Sequence, residues 1–497
     1  QAEDGIRDVE RSRGLGDVYK RQVLGLFIGT VGIVLATTVA QAQFKGLINF
    51  FGKVTGQASV AQSIKLDDRI YGAGAAWTYT AKNIAAGETV FNGPHFIRNT
   101  ASVPIKVTLE TDPNPDNLNP SVVDRVWHNV QITTGPEYKR NPSFFKGQDG
   151  AYWLFFAQDT NSAQNGKGCD AGGMNCDNDA YEVFYIVSLD KGETWSAPIK
   201  MPNQSTIGTN RRDISAFQDK SGKIWVFIAS GQSGLSDKVY YYTSSDNGAT
   251  WTGPQKVANI NGGHISALEV NNNIVLLYEE SGQGIKLVYT KKNAINWKGP
   301  VLVDSRGGVP KAIHSNDGKI RVVWTKNGQG IYMSSCDDNK FTNSSNWSTT
   351  AGPIAETVGY FDYDPYLYQD SYGKYWLFYA PWDNVATQWI SYVTSTDGSV
   401  WSQPKILMKR SNLWNFWPVV SQDDNGNMLI FYASENNYNN GRVNGNIWLA
   451  KSGNWWNGNV PMKITIPANS WVGVDISNVF KDDTGASTYK TVTTVKK

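Results

Sequence analysis

Residues able to bind or cleave a sugar stand at equivalent places in repeated stretches of this 497-residue chain. One set begins an apolar run and comprises Arg140-Asn141, Arg212-Asp213, Gly263-His264, Gly308-Val309, Tyr363-Asp364 and Phe416-Trp417. A second set ends the next run and comprises Gln158-Asp159, Ser230-Gly231, Glu279-Glu280, Lys326-Asn327, Pro381-Trp382 and Ser434-Glu435. Carboxyl groups supply acids and bases, aromatic faces stack on sugar rings, and arginine binds carboxylates through paired hydrogen bonds.

The elements that carry these sets are six similar hairpins. They read "NPSFFKGQDGAYWLFFAQ", "DISAFQDKSGKIWVFIAS", "HISALEVNNNIVLLYEE", "VPKAIHSNDGKIRVVWTK", "DPYLYQDSYGKYWLFYAP" and "WPVVSQDDNGNMLIFYAS". Each is a short apolar strand, a turn rich in Gly, Asn or Asp, and a second apolar strand. A third strand, a turn octet and a fourth strand follow. Six such units predict an all-β fold, a six-bladed β-propeller.

The octets are "SLDKGETW" at 188–195, "SSDNGATW" at 244–251 and the shortened "STDGSVW" at 395–401. An Asp side chain accepts hydrogen bonds from its own turn, and Gly supplies a positive φ. The octets join third to fourth strands, so they are expected on the face opposite the starts of the first strands. We therefore predict that they are scaffold and that the two chemical sets share the other face.

These octets resemble the Asp-box of the sialidase (neuraminidase) superfamily, and the resemblance covers roughly residues 136–460. "KRNPSFF" is similar to the family's Arg-x-Pro motif, which implies that Arg140 holds a sialic acid carboxylate. The resemblance also implies Tyr363 as nucleophile, activated by Glu279 or Glu280, and Asp159 as general acid/base. Arg212 or Arg211 is the candidate for a second arginine that holds the carboxylate. Arg306, Arg321 and Arg442 fall outside the aligned columns, which are the strand starts and strand ends of the repeats.

Other interpretations remain open. Asp213 and Asp364 stand where a carboxylate-pair glycosidase would use them on a neutral or uronic sugar. Arg140 as an ion-pair partner of Asp364 is a purely structural alternative. The predicted catalytic residues are Asp159, Glu279, Tyr363 and Asp364, and the predicted binding residues are Arg140, Arg212, Asp213, His264, Trp382 and Trp417. The hypotheses are a retaining exo-glycosidase, a non-catalytic glycan-binding or adhesion module, and a surface-layer or fibre subunit.

The flanks differ from the repeats. Residues 43–118 and 461–497 alternate like half-exposed strands, as in "NIAAGETVFNGPHFIRNTASVPIKVTLETD". They resemble the β-sandwich of camelysin and TasA-like surface proteins. The prediction is a small sandwich in two halves with the propeller, residues 119–460, inserted between them.

Composition and the N-terminal segment set the remaining expectations. The balance of 46 Lys+Arg against 44 Asp+Glu argues against nucleic acid as a partner. Residues 1–22 look like a translated sequencing adapter, and residues 23–42 read as a signal peptide cleaved after Ala42. A retained membrane anchor is the alternative, because the apolar run is near the lower length limit for a membrane span. A secreted or cell-surface protein is expected, with a Cys169–Cys176 disulfide and without a metal or cofactor. The predicted partner is a glycan or glycoconjugate, and the sequence predicts no particular oligomeric state.

Overall fold

The computed structural model describes residues 64–66, 69–71, 74–84, 87–113, 123–135, 137–160, 181–208, 211–231, 238–258, 260–326, 329–383, 387–409, 413–436, 445–454, 457–481 and 487–496. These ranges are all-β, with two single 3₁₀ turns at Gln204–Ile207 and Ser344–Asn346 and no α-helix. Apart from residues 248–250, they belong to one compact unit. The predicted adapter segment, signal peptide and Cys169–Cys176 pair lie outside the described residues.

Strands are numbered in chain order. Those that flank the central part are β1 (Ile64–Leu66), β2 (Arg69–Tyr71), β3 (Gly74–Ile84), β4 (Thr89–Asn99), β5 (Ile105–Asp112), β6 (Val123–Gln131), β30 (Met462–Ile466), β31 (Trp471–Phe480) and β32 (Ser487–Lys496). One sheet has the order β3-β32-β5-β30. The other five of these strands belong to a second sheet, in the order β2-β1-β4-β31-β6.

Five consecutive four-stranded antiparallel sheets occupy the centre, and their strands pair in chain order. Their strands are β7 (Lys139–Lys146), β8 (Tyr152–Asp159), β9 (Tyr181–Ser188), β10 (Ile199–Lys200); β11 (Arg211–Gln218), β12 (Ile224–Ser230), β13 (Lys238–Ser244), β14 (Thr252–Lys256); β15 (Gly263–Val270), β16 (Asn273–Glu280), β17 (Gly284–Lys291), β18 (Ala294–Asp304); β19 (Gly308–His314), β20 (Lys319–Thr325), β21 (Ile331–Asp337), β22 (Ser348–Thr349); and β23 (Phe361–Gln369), β24 (Tyr375–Trp382), β25 (Ile390–Ser395), β26 (Lys405–Met408).

A sixth group closes differently from the sequence pattern. The strands β27 (Leu413–Gln422), β28 (Met428–Asn436) and β29 (Asn446–Ser452) pair in order. The next strand along the chain does not complete this group. That next strand, β30, pairs with β5, and β6 occupies the edge beside β29. A strand that precedes the first repeat thus completes the last one.

The first strands of the six groups contact one another in a circle. Contacts run from β7 to β11, β15, β19, β23 and β27, and from β27 back to β7. The second strand of each group lies in the apolar core, and in β12 every residue is buried. Cys336 is a free, buried cysteine in this core.

The octets form hydrogen-bonded turns. Asp190 accepts from the backbone N–H of Thr194 at 2.7 Å and from the Ser188 hydroxyl at 2.9 Å. The octet indoles pack on the preceding sheet, where Trp251 meets the ring of Phe155 edge-on at 6.3 Å. Such turns lie beside the hairpin turn of the first two strands, at the end of the strands away from Arg140. Among the described residues, no helix is long and apolar enough to cross a bilayer.

Candidate functional site

A pocket opens where the first strands begin. The cavity itself is small, about 30 Å³, and the empty space reaches about 350 Å³ only when open solvent at the mouth is counted. Its polar atoms come from Asn141, Asp213, Lys311 and Asp364, and its apolar wall contains Trp417 together with prolines. Five of the six first strands contribute to this lining, so the pocket lies where the circle of strands converges.

Each first strand carries a bulge at the start of the repeat. The pairing with the second strand shifts at this place in all six groups. Five groups place a non-glycine residue there with φ between 48° and 52°; they are Asn141, His264, Val309, Asp364 and Trp417. A bulge re-aims side chains and ends regular pairing. The candidate residues that align in sequence at the starts of the first strands are therefore strained positions arranged around the pocket.

Proline marks these bulges in the sequence. Pro142, Pro310, Pro365 and Pro418 each follow a positive-φ residue. Proline has no N–H to give to a ladder, so strands tolerate it at bulges. The recurring X-Pro is the signal from which the bulges could have been predicted, and the sequence reasoning used it only for Arg140.

Asp213 connects neighbouring first strands across the pocket wall. Its Oδ1 accepts from Asn141 Nδ2 at 2.9 Å, and its Oδ2 accepts from the backbone N–H of His264 at 3.0 Å. The side chain is almost fully buried, with 7% of the residue exposed. Two donors from two strands fix the direction of this carboxylate.

His264 and Glu279 form a charged pair beside Asp213. The Nδ1 of His264 donates to Glu279 Oε2 at 2.8 Å, and the same oxygen accepts from Val309 N at 2.9 Å. Burial lowers the pKa of His264, but the charges of Asp213 and Glu279 outweigh burial and raise that pKa to about 9. Burial likewise raises the pKa of Glu279, and bonding to His264 more than reverses this. At neutral pH the pair is imidazolium and carboxylate.

Asp364 is the pocket carboxyl suited to hold a proton. Burial raises its pKa to about 6, although the charges of His264 and Lys311 pull the pKa down. Lys311 faces both Asp213 and Asp364, and its Nζ donates to the backbone oxygen of Ile265 at 3.0 Å. Burial lowers the pKa of Lys311.

The sequence reasoning missed Lys311, although a signal exists. It stands two residues after the bulge, where the first three groups have Ser143, Ser215 and Ser266. Each serine hydroxyl accepts from a backbone N–H of the next first strand, at 2.9 to 3.1 Å. Lys311 is identified because a cationic side chain replaces the serine that links neighbouring strands at this place in the first three groups.

Arg140 lies behind the pocket wall. Its guanidinium stands 4.1 Å from the ring centroid of Trp417 and 5.6 Å from those of Tyr138 and Tyr181. It donates to Asn141 Oδ1 at 3.1 Å and to the Tyr181 hydroxyl at 3.4 Å. Only 7% of the residue is exposed. These contacts occupy the face and two donors of the guanidinium.

Tyr363 and Trp382 form an aromatic cluster beside the pocket. The Trp382 ring centroid lies 6.1 Å from Phe361, 6.2 Å from Tyr363 and 6.0 Å from Trp414. Burial, with the charge of Asp364, raises the pKa of the Tyr363 hydroxyl. We call Phe361, Tyr363, Trp382 and Trp414 the aromatic rim. None of them lines the pocket itself.

Asp159 and the remaining arginines lie elsewhere. Asp159 is buried opposite Tyr181, outside the pocket lining. Arg306 binds Asp304 and Arg321 binds Asp317, each with a contact of 2.7 Å. The backbone of Arg212 belongs to β11, and its side chain lies outside the described part of the structure, as does Arg442.

The pocket thus brings together Asp213, Asp364 and Trp417, with His264 and Glu279 bonded into its wall. Arg140 stands behind this wall, and Tyr363 and Trp382 stand beside it. Over the described ranges, no group of three or more His, Cys, Asp or Glu is arranged to hold a metal ion.

Comparison with solved structures shows what the chain is similar to. A protein of unknown function from Dyadobacter fermentans has a TM-score of 0.51 and 16% identity, covering 66% of this chain and 98% of that one. The NanB sialidase of Streptococcus pneumoniae, as its K499G mutant, has a TM-score of 0.47 and 10% identity, covering 67% and 71%. The GH93 α-L-arabinofuranosidase of Fusarium graminearum has a TM-score of 0.46 and 14% identity, covering 66% and 98%.

These neighbours are β-propeller proteins. At such identities the first likeness supports a shared fold and no function, and the other two, with TM-scores below 0.5, carry no argument about this chain. No family model matches the chain. No curated protein matches it either.

Proposed function

We propose that the chain is a six-bladed β-propeller that binds a glycan in its axial pocket and cleaves it as a glycoside hydrolase. The circle of six first strands supports the blade count, with β6 as the outer strand of the last blade. The sheets that contain β3 and β4 are then the two layers of a β-sandwich, whose halves at 43–118 and 461–497 flank the propeller at 119–460.

One observation carries the hydrolase proposal. Asp364, whose pKa is raised to about 6, shares a pocket with Asp213, which two strands hold in a fixed direction. Hydrolysis of a glycosidic bond needs an acid for the leaving oxygen and a second carboxylate that attacks or activates water. A pKa near the working pH suits Asp364 to the first role, and Asp213 is the candidate for the second.

The sialidase roles are the alternative within the hydrolase class. They need Tyr363 activated by Glu279 and an arginine cluster on the substrate. Glu279 is instead bonded to His264 and Val309, and Arg140 lies over Trp417. These contacts favour Asp364 and Asp213 over Tyr363 and Asp159 as the reacting pair.

A non-catalytic glycan-binding module is the second candidate. Both oxygens of Asp213 and one of Glu279 accept hydrogen bonds from the protein itself. Such bonding is also what a purely structural ring of carboxylates requires. Export, which rests on residues 23–42, would place either activity outside the cell or on its surface.

The test is a panel of 4-nitrophenyl glycosides and soluble polysaccharides, offered to the wild type and to Asp364→Asn. A hydrolase turns over at least one member, and Asp364→Asn loses about 100-fold or more in kcat while still binding it. Asp362→Asn is the matched control, because Asp362 lies in the same strand but outside the pocket lining. Binding without turnover in the wild type would establish the binding module, and neither activity would end the proposal.

A further inference from the structure

We infer that the axial pocket accepts an electrically neutral sugar and discriminates against sialic and uronic acids. This inference rests on the proposed function and names its substrate class. Its evidence is the distribution of charge in and behind the pocket wall.

The lining itself has more negative than positive groups. Asp213 and Asp364 are its carboxyl groups, and Lys311 is its cation. Lys311 faces both carboxylates and also donates to Ile265 O, so its charge is already offset inside the protein. An entering carboxylate would therefore meet the negative charge of Asp213, a second one on Asp364 whenever that group has released its proton, and a cation already bonded within the protein.

The described groups behind the lining direct no cationic side chain into the pocket, although the charges of His264 and Arg140 lower the pKa of Asp364 against the larger effect of burial. His264 is a cation, but its ring is bonded at 2.8 Å to Glu279, whose carboxylate cancels it. Its backbone N–H is directed at Asp213. Electrostatic complementarity with an anionic sugar would need the opposite balance.

No described arginine presents its guanidinium to the pocket. Recognition of a sugar carboxylate relies on an arginine whose paired N–H groups reach the ligand. Arg140 lies over Trp417 and donates to Asn141 and Tyr181. Arg306 and Arg321 are held by Asp304 and Asp317. Arg306 and Arg321, two of the arginines outside the aligned columns, are thus structural.

What the pocket does present suits a neutral ring. The indole of Trp417 and the neighbouring prolines form an apolar wall, and Asn141, Asp213 and Asp364 offer hydroxyl acceptors. Sugar rings have an apolar face of C–H groups and an edge of hydroxyls, which this combination matches.

The experiment compares kcat/KM for 4-nitrophenyl neutral hexosides and pentosides with that for 4-nitrophenyl glucuronide and 4-nitrophenyl N-acetylneuraminide. We expect kcat/KM for the best neutral glycoside to exceed kcat/KM for both acidic glycosides by about 100-fold or more. The kcat/KM of the neutral glycoside should change little as ionic strength is raised. Equilibrium titration of the wild type with the corresponding non-hydrolysable thioglycosides measures preference without catalysis and keeps both pocket carboxyl groups.

A gain-of-charge variant sharpens the test. Val309 lines the pocket with φ of 52°, a strained place for a β-branched side chain. Val309→Arg should raise the relative kcat/KM for the glucuronide about tenfold, and Val309→Gln is the uncharged control. Preferred cleavage or binding of an acidic sugar by the wild type overturns the inference and leaves the hydrolase intact. Neutral glycans bound but never cleaved would uphold the inference and remove the hydrolase, and no binding at all would remove both.

Discussion

The guanidinium of Arg140 lies over the indole of Trp417, with its central carbon 4.1 Å from the ring centroid. Arg140 belongs to β7 and Trp417 to β27, the first and last members of the circle of inner strands. The contact therefore spans the place where the circle closes, and its strength bears on stability as well as on the site.

Replacing Arg140 by lysine should destabilise the fold. A lysine keeps the charge but loses the guanidinium contact with Trp417 and the bond to Asn141, which together are worth about 1 to 3 kcal/mol. Urea unfolding of Arg140→Lys measures the loss, and Arg98→Lys, at an exposed position, is the control. Equal stability of Arg140→Lys and wild type would show that the contact contributes nothing.

Removing the octet carboxylate should cost stability and leave the chemistry intact. Asp190→Ala breaks bonds from Thr194 N and from the Ser188 and Thr194 hydroxyls. Loss of a comparable side-chain cap costs on the order of 1 kcal/mol. Leu189→Ala, in the same octet and 56% exposed, is the control. Thermal unfolding and kcat/KM are measured together, and a fall in kcat/KM with unchanged stability would refute the scaffold role.

Asp364 should make stability depend on pH in a defined direction. Burial raises its pKa to about 6 from an ordinary 3.8. The folded state then binds this proton more tightly than the unfolded chain, so the ionised group costs stability above pH 6, and the cost vanishes as the pH falls below 3.8. Asp364→Asn should raise the free energy of unfolding at about pH 8 by on the order of 1 kcal/mol, and by nothing at about pH 3.5.

The Asp362→Asn variant is the control for Asp364→Asn in this pH experiment. Burial also raises the pKa of Asp362 to about 6, so Asp362→Asn should stabilise the fold over the same pH range. It accepts a hydrogen bond from Thr357 N, which an amide oxygen can still accept. Only Asp364→Asn should abolish turnover, because only Asp364 lines the pocket. Destabilisation of Asp364→Asn at high pH would contradict the assignment.

The aromatic rim should matter for long glycans more than for short ones. Trp382 is surrounded by Phe361, Tyr363 and Trp414 outside the pocket lining, and we expect a second or third sugar to stack there. Trp382→Ala should raise KM for an oligosaccharide about tenfold, or 1.4 kcal/mol, and change that of a 4-nitrophenyl monosaccharide little. Trp471→Ala, exposed on β31, is the control. Equal effects on both substrates would argue against the rim as a binding surface.

Repetition made the column of site residues predictable. Asn141, His264, Val309, Asp364 and Trp417 align in sequence and share one backbone conformation in the structure. Local patterns also gave the hairpins and turns, because these depend on residues close in the chain. The column identified where side chains converge, and the chemical types identified Asp213 and Asp364 as pocket groups.

The remaining features depend on bulges and strand pairing, which the alternation of residue types does not specify. Lys311 faces the pocket only because a bulge precedes it, and alternation alone gives no such direction. The bond between Glu279 and His264 depends on the end of β16 meeting the start of β15. Likewise β6 joins β29 across most of the chain, which no spacing rule anticipates. The roles drawn from the sialidase resemblance stay predictions.

The position of β6 has a consequence for biosynthesis. It pairs with β29 on one edge and with β31 on the other, and β4 also pairs with β31. The Asn99 side chain reaches its acceptor at Ile466 across 367 positions. During translation, the early strands must therefore stay unpaired at these edges until β29 and β31, more than 300 residues later, have been made. Because exposed strand edges aggregate, we expect nascent chains to depend on chaperones and late folding to be slow.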